Sequence, residues 1–292
     1  KRGGKGLIGS DVAEEDFLTH LITASTHDNI LFFTERGRVF QTKVWEIPAA
    51  GRTAKGKPIQ NFLDIPADEH VHALIAYRGD RKQVTGDREE GAPKFLVMLT
   101  NQGVIKKTTL TDFANVRRSG IIAIKLRKGD RLNWVKTSTG ADEIIIATAH
   151  GKAIRFKETQ ARPMGRGASG VRAIRLKGGD TVSSLDIIPK GTKDAKLLVV
   201  GANGYGKQTP LGQYRLQGRG GSGIKTAQVT KKTGPIVSAH LVAGEEELLV
   251  LTAKGQVIKT RLSEVRVAGR ATQGVKIMTL DSSDSVSSAT CL

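Results

Sequence analysis

The sequence is poor in the features of secreted, membrane-spanning and base-stacking proteins. Cysteine occurs once, at Cys291, so an internal disulfide framework is excluded and a reducing, cytoplasmic location is expected. Apolar runs stay far below the roughly 18 residues of a membrane span, and we expect no signal peptide. Aromatic residues make up only 4% of the chain, which argues against a platform that stacks single-stranded bases.

Patterns of catalysis and metal binding are missing as well. The six histidines lack metal-ligand spacing with the single cysteine, and the chain contains no phosphate-binding P-loop sequence. His70 and His72 would share one strand face but have no carboxylate cluster beside them. We therefore predict a non-catalytic chain with no cofactor, no metal and no small-molecule substrate.

Acidic residues are scarce relative to basic ones. Lysine and arginine number 46 against 28 aspartates and glutamates, a formal net charge of +18. A charge of this sign and size attracts polyanions, with nucleic acid as the first candidate and an acidic membrane surface as the second. The charge recurs once per sequence repeat, which a membrane or heparin ligand would not explain.

The repeat is marked by a short basic, glycine-rich segment, called a box below. The first box is Lys1-Arg2-Gly3-Gly4-Lys5-Gly6, and degenerate copies occupy residues 51–56, 115–120, 165–170, 218–223 and 269–274. Their last glycines lie 50, 64, 50, 53 and 51 residues apart. A nearly constant period in this range indicates a propeller or solenoid array.

A second landmark keeps a nearly fixed distance from each box. An apolar run, such as residues 30–34 or 248–252, is followed by a turn glycine, and this glycine precedes the last box glycine by 19, 17, 19, 19 and 19 residues. The runs are short and rich in β-branched residues, which favours strands over helices. Each unit reads as four strands, the last of them at 18–24, 71–76, 132–136, 182–187, 236–241 and 286–291. We therefore predict an all-β, six-bladed propeller-like domain over residues 1–292, with the first blade incomplete at its N-terminus because the chain begins inside a box.

These residues resemble a known family. Lys1-Arg2-Gly3-Gly4-Lys5-Gly6 is similar to the GyrA box, Gln-Arg-Arg-Gly-Gly-Lys-Gly, of the C-terminal domain of the bacterial DNA gyrase A subunit. The segments 26–28, 37–40 and 46–48 are also similar to that domain. The resemblance implies a six-bladed β-pinwheel whose blades exchange strands, with a DNA-wrapping role in negative supercoiling. It also implies three partners: double-stranded DNA, the gyrase B subunit and the N-terminal part of the gyrase A subunit.

The boxes are the candidate DNA-binding sites. Together they hold 36 residues with 10 basic and no acidic side chains, and sequence-independent DNA binding relies on such cations. Glycines let the backbone approach phosphates closely. The predicted DNA-binding residues are Lys1, Arg2, Gly3, Gly4, Lys5, Gly6, Arg52, Lys55, Arg117, Arg118, Arg166, Arg172, Arg219, Lys225, Arg270 and Lys276. In a weaker set from the flanking strands, we expect about half to face DNA: Arg36, Arg38, Lys106, Lys107, Arg155, Arg172, Lys225, Lys259 and Lys276.

Two alternatives remain open at this point. One is the C-terminal domain of the ParC subunit of topoisomerase IV, which has similar blades but a degraded first box, so the well-preserved box at Lys1–Gly6 favours gyrase. The other is a propeller that serves as a protein-binding scaffold, for which a balanced charge and apolar binding residues would be expected instead of basic boxes. For any one degenerate box, the glycines could equally be plain turns and the arginines a solvated edge.

Overall fold

The structure is a computed structural model that describes residues 22, 24–49, 56–78, 92–281 and 283–292. In this part of the chain, the strands form five sheets. The strands are β1 (Asp28–Thr34), β2 (Arg38–Lys43), β3 (Val71–Arg78), β4 (Phe95–Thr100), β5 (Val104–Thr109), β6 (Ile121–Ile122), β7 (Leu132–Ser138), β8 (Glu143–Thr148), β9 (Lys152–Lys157), β10 (Val171–Arg172), β11 (Val182–Ile188), β12 (Lys196–Gly201), β13 (Tyr205–Pro210), β14 (Ile224–Lys225), β15 (Ile236–Val242), β16 (Glu247–Thr252), β17 (Val257–Arg261), β18 (Val275–Lys276) and β19 (Val286–Cys291). Short 3₁₀ helices follow the hairpins or precede a strand: Val44–Glu46, Ile59–Asn61, Leu110–Phe113, Glu158–Gln160, Leu211–Gln213 and Leu262–Glu264.

Each sheet except the last is built from one repeat unit plus one strand borrowed from the next. The sheet orders are β3-β1-β2-β6, β7-β4-β5-β10, β11-β8-β9-β14, β15-β12-β13-β18 and β19-β16-β17, with antiparallel pairing between neighbouring strands. The borrowed strands β6, β10, β14 and β18 come directly after a box and pair with the second hairpin strand of the preceding unit. Neighbouring blades therefore exchange strands, as the family resemblance implies.

The predicted count of six blades is wrong. The described residues form five sheets, four with four strands and the last with three. The count rested on six boxes and six closing strands, and the predicted closing strand at 18–24 has no strand at its described positions, 22 and 24. The rest of that segment, like box 1–6 and residues 51–55 of the second box, lies outside the described residues. The β-class and the strand positions of the other five units agree with the structure.

The closing strands line the centre of the array. They contact one another in succession, in the order β3, β7, β11, β15 and β19. The opposite edge of each of the first four sheets carries the borrowed strand, and the box lies beside it. We call this outer edge, formed by boxes 115–120, 165–170, 218–223 and 269–274 with β6, β10, β14 and β18, the rim.

The core is a series of layers between adjacent sheets. In β4, alternate residues face opposite neighbours: Leu96 and Met98 pack with Leu31 and Phe33 of the preceding sheet, whereas Val97 and Leu99 belong to the cluster shared with the following sheet. A strand buried on both faces must be apolar at every position, and this explains why the first strand of each unit reads as an unbroken apolar run. The layers fix the sheets relative to one another and so fix the spacing of the rim loops.

Candidate nucleic-acid interface

The last glycine of each described box fixes that box against the hairpin of the preceding unit. Gly170 has a φ of +81°, and a Cβ there would lie 2.5 Å from the Ile105 carbonyl oxygen. Gly223 and Gly274 repeat this arrangement, each with a positive φ and a Cβ position 2.6 Å from a hairpin carbonyl oxygen. Glycine at these positions lets the box pack closely on the blade, because any larger residue would collide with the hairpin. The earlier glycines of the boxes, Gly165, Gly167 and Gly218, face open space and leave the backbone accessible.

Backbone hydrogen bonds join each box to its neighbour along the rim. The Lys125 amide, which follows box 115–120, donates to the Ala168 carbonyl in the next box over 3.1 Å. The Gly220 amide in turn donates to Ala173 over 2.7 Å, and the amide of Arg175 donates to the Gly221 carbonyl over 2.8 Å. The Gln228 amide donates to Thr272 in the last box over 3.0 Å. The four described boxes thus form one connected track.

The box arginines differ in how freely their guanidinium groups face solvent. Arg117 and Arg118 are exposed, and Arg118 forms an ion pair with Glu46 at 3.7 Å. Arg219 is half-buried because its guanidinium donates to the carbonyls of Gln160 and Arg172. Arg270 donates to the Lys225 carbonyl over 3.0 Å, whereas the Arg166 side chain has no such bond among the described residues. Two of the five box arginines that the structure describes therefore also brace the rim.

The borrowed strands carry three further exposed cations of the predicted set. Arg172, Lys225 and Lys276 each occupy the second position of a two-residue strand at the rim and are exposed. Within the described ranges, their side chains have neither an ion pair nor a hydrogen bond. The structure thus brings these three residues to the same edge as the boxes. The remaining predicted site residues lie outside the described part of the chain: Lys1, Arg2, Gly3, Gly4, Lys5, Gly6, Arg52 and Lys55.

Six of the weaker candidates make contacts within the protein. Arg36 pairs with Asp68, Arg38 with Glu69, Lys107 with Glu158, Arg155 with Glu143 and Lys259 with Glu247, and Lys106 is completely buried. Arg36 lies in a hairpin turn and the other five lie in hairpin strands. Among the five ion-paired cations, Lys107 pairs with a buried carboxylate of the next unit, and the other four pair with carboxylates of their own unit.

Two fully buried lysines support boxes from beneath. Lys207, 1% exposed, donates to the carbonyls of Gly269 and Arg270 over 2.7 and 2.8 Å. Lys106, 0% exposed, donates to Ala123 over 2.6 Å and to the carbonyl of Arg166. Burial lowers the pKa of each ammonium from 10.5 to about 8. These lysines hold box carbonyls inward and cannot reach a ligand outside the rim.

Sequence reasoning missed a second series of rim arginines. Arg162, Arg215 and Arg266 each lie eight residues before the last glycine of a box and are exposed. Their constant offset was the available signal, since the same counting located the turn glycines. No group of three or more histidine, cysteine or acidic residues suited to a metal ion occurs among the described residues. Likewise, no helix within them is long and apolar enough to cross a membrane.

The comparison with protein families decides the affiliation. The family model of the DNA gyrase C-terminal domain, beta-propeller, matches residues 1–25, 28–77, 94–138, 142–189, 195–243 and 246–292. The chain belongs to the DNA gyrase C-terminal domain family. Members of this family among curated proteins include the DNA gyrase A subunit of Deinococcus deserti, 44% identical over 291 residues, covering 99% of this chain and 35% of that protein. The DNA gyrase A subunit of Staphylococcus epidermidis is 42% identical over 286 residues, covering 98% of this chain and 31% of the relative.

Solved structures of gyrase-type C-terminal domains share the fold. The DNA gyrase A C-terminal domain superposes with a TM-score of 0.77 at 22% identity, covering 99% of this chain and 93% of that one. The C-terminal domain of DNA topoisomerase IV gives 0.78 at 23% identity, covering 91% and 80%. The chain spans about a third of the length of the curated gyrase subunits it matches.

Proposed function

We propose that this chain binds duplex DNA without reading its base sequence and wraps it around the rim, as the non-catalytic C-terminal part of a gyrase A subunit. In this role it directs strand passage toward negative supercoiling, while the chemistry takes place in the B subunit together with the N-terminal part of the A subunit. Gyrase A relatives at 42% and 44% identity support the assignment to gyrase over topoisomerase IV. A cytoplasmic location and the absence of any cofactor are part of the same proposal.

The observation that carries this proposal is the connected track of boxes along one edge. A wrapping surface must offer cations repeatedly along a curve, because bending a 20–30 bp site costs on the order of 1–6 kcal/mol and several contacts must offset that cost together. Boxes 115–120, 165–170, 218–223 and 269–274 contain no acidic residue, and the exposed cations of β10, β14 and β18 lie beside them. A protein-binding scaffold would not need boxes without acidic residues.

The test is plasmid relaxation and religation in the presence of increasing amounts of this chain. Wrapping predicts a shift in linking number that grows with protein concentration, whereas a plain basic protein would retard DNA without one. A scaffold for proteins would do neither. Replacing Arg2 and Lys5 by alanine is expected to abolish the shift while circular dichroism stays unchanged.

A second variant addresses the described part of the rim. The triple change R172A/K225A/K276A should lower the salt slope of log K by about 2 to 3, since each lost phosphate contact removes about 0.9. The matched control K94A/K190A/K193A removes three exposed charges from loops that join a closing strand to the next first strand and carry no box. Equal losses in both variants would contradict a DNA track confined to the rim.

A further inference from the structure

Three consecutive units present the same pair of exposed side chains just before the box. The pairs are Arg162-Pro163, Arg215-Leu216 and Arg266-Val267, each with its arginine four residues before the box arginine. Leu216 is 45% and Val267 49% exposed. A single exposed apolar residue needs no explanation, but one beside an exposed arginine at the same place in three units does.

The backbone under each pair is firmly held. The residue after each pair donates its amide to the second hairpin strand of the preceding unit: Met164 to Lys107, Gln217 to Arg155 and Ala268 to Gln208, each over 2.8 Å. The apolar residue of each pair forms a parallel bridge with that same strand residue. The pairs are therefore offered from a fixed edge, so a ligand would not have to order the loop that carries them.

These arginines are also free of internal partners. Within the described ranges, the guanidinium groups of Arg162, Arg215 and Arg266 have no ion pair and no hydrogen bond, whereas the box arginines Arg219 and Arg270 donate to carbonyls of the rim. The guanidinium groups of this second series are consequently more available to a ligand than those of Arg219 and Arg270. A phosphate contact needs only the charge and would leave the apolar neighbour without a role.

We propose that these three pairs read the DNA minor groove: the arginine enters the groove and its apolar neighbour packs on the sugars of the groove wall. Narrow minor grooves concentrate negative potential and attract arginine, and apolar side chains are common companions of such contacts. The inference rests on the proposed DNA wrapping and adds to it a preference for A·T-rich segments, which arises from their narrow minor groove and not from contacts to base edges.

The remaining described unit supplies an internal contrast. From the buried Phe113 to the last box glycine, Gly120, there are 7 residues, against 9 from Ala161 to Gly170, and the arginine–apolar pair is missing. Box 115–120 carries two adjacent arginines instead, Arg117 and Arg118. This unit is left with phosphate contacts alone, so the groove preference belongs to the three later units.

The test measures binding of this chain to a mixed-sequence duplex and to one with phased A-tracts, each with and without netropsin, which occupies the minor groove. For the unmodified chain we expect about tenfold tighter binding to the A-tract duplex and a loss of at least tenfold on adding netropsin. The charge-preserving variant R162K/R215K/R266K should lose most of both effects, because the strongly hydrated ammonium replaces a guanidinium that sheds water more easily. The variant P163S/L216S/V267S should reduce the A-tract preference in part.

The control R127K/R175K changes exposed arginines that have no exposed apolar neighbour, and it should keep both effects. Equal binding to the two duplexes, or the absence of any netropsin effect on the unmodified chain, would overturn the minor-groove inference while leaving DNA wrapping intact. Failure of the unmodified chain to bind either duplex would instead contradict the proposed function. Methyl green, a major-groove ligand, should have little effect in the same assay.

Discussion

The four described boxes fall into two kinds that alternate along the rim. Boxes 165–170 and 269–274 rest on the buried lysines Lys106 and Lys207, whose ammonium groups bond box carbonyls. Beneath boxes 115–120 and 218–223, the hairpin position that corresponds to these lysines, three residues after the turn glycine, holds Phe40 and Ile154. Here Arg38 donates to the Ser119 carbonyl of box 115–120, and the backbone amide of Arg175 donates to the Gly221 carbonyl of box 218–223.

The difference separates what every box requires from what only some have. All four boxes end in a glycine with positive φ packed on the hairpin, irrespective of the residue beneath. A buried ammonium carries a desolvation cost that an apolar side chain does not, so its presence in alternate units calls for a benefit that offsets the cost. Holding the carbonyls of a box inward leaves its amides and side chains directed to the outside, which suits an anion-binding loop.

The largest effect is expected where the two kinds of box agree. Gly170→Ala, in a lysine-supported box, and Gly223→Ala, in the other kind, should each lower the free energy of unfolding by about 4 kcal/mol, since the new Cβ meets a carbonyl oxygen and φ is positive. Urea denaturation measures the loss. The control Gly167→Ala, in open space, should change stability by less than about 0.5 kcal/mol. A much smaller loss at Gly223 than at Gly170 would mean that the lysine, and not the glycine, fixes the box.

The next effect is a pH dependence of stability, which we expect from the lysine-supported boxes and not from the other kind. The pKa of Lys106 and of Lys207 is lowered to about 8 by burial, from 10.5 in an unfolded chain. Between these pH values the unfolded chain holds more protons, so stability rises with pH; below about 8 both states are protonated and the contribution is constant. At about 1.4 kcal/mol per pKa unit, each lysine raises the free energy of unfolding by at most about 3 kcal/mol over this pH range.

Urea midpoints measured from pH 7 to pH 10.5 test this dependence. In K106M/K207M the rise should shrink strongly, whereas Ile154→Met, the matched change in a box without lysine, should leave it as it is. A full rise in the double variant would show that other groups cause it. The tyrosine Tyr214, whose pKa is raised by burial, opposes the rise only at the alkaline end, because its protonated form is favoured in the fold.

A smaller loss is expected from the arginine that serves box 115–120. Arg38 donates to Glu69 over 3.1 Å and to the Ser119 carbonyl over 2.6 Å, and the Glu69 side chain is buried. Arg38→Met should cost about 2 kcal/mol, because a buried carboxylate loses its cation. Its neighbour Arg36 pairs with Asp68 on the open surface, and Arg36→Met should leave the urea midpoint almost unchanged in the same denaturation assay. Similar costs for the two changes would mean that the box contact contributes nothing.

Much of the fold was accessible from sequence because its determinants are local. Apolar runs such as that of β4 and turn glycines such as Gly103, with a φ of +76°, fix hairpins within one unit, and a constant offset then locates the box. The borrowed strands are much shorter than the others: β10 consists of Val171–Arg172 alone. Their pairing partner lies in another unit, and beyond two residues the chain leaves the sheet to continue along the rim.

The candidate site was less accessible, because charge alone does not tell where a side chain points. Lys106 and Lys276 look alike as basic residues of short strands, yet one is completely buried and the other exposed at the rim. Only the packing of the following unit on the hairpin decides between them. Arg162, by contrast, could have been found by extending the same offset counting that located the boxes.

The smallest expected effect concerns the one predicted box cation that pairs with a carboxylate among the described residues. Glu46 accepts a hydrogen bond from the Thr42 hydroxyl over 2.6 Å, which together with Lys43 and Arg118 lowers its pKa, so it is charged at pH 7 beside Arg118. Glu46→Gln removes that charge and should tighten DNA binding less than about threefold in 50 mM salt and not measurably in 200 mM salt, because the pair is exposed and screened.

Thr260 and Glu264 repeat the Thr42–Glu46 arrangement in the last sheet, with the hydroxyl 3.3 Å from the carboxylate, but with no box cation paired to it among the described residues. Glu264→Gln is therefore the matched control, with the same loss of one negative charge and no expected gain in DNA affinity. If the two changes tightened binding equally, net charge alone would account for both, and box 115–120 would lose its place on the DNA track. If only Glu46→Gln did so, Arg118 would be a DNA contact that this carboxylate weakens, whereas Arg166 and Arg270 of the lysine-supported boxes have no ion pair among the described residues.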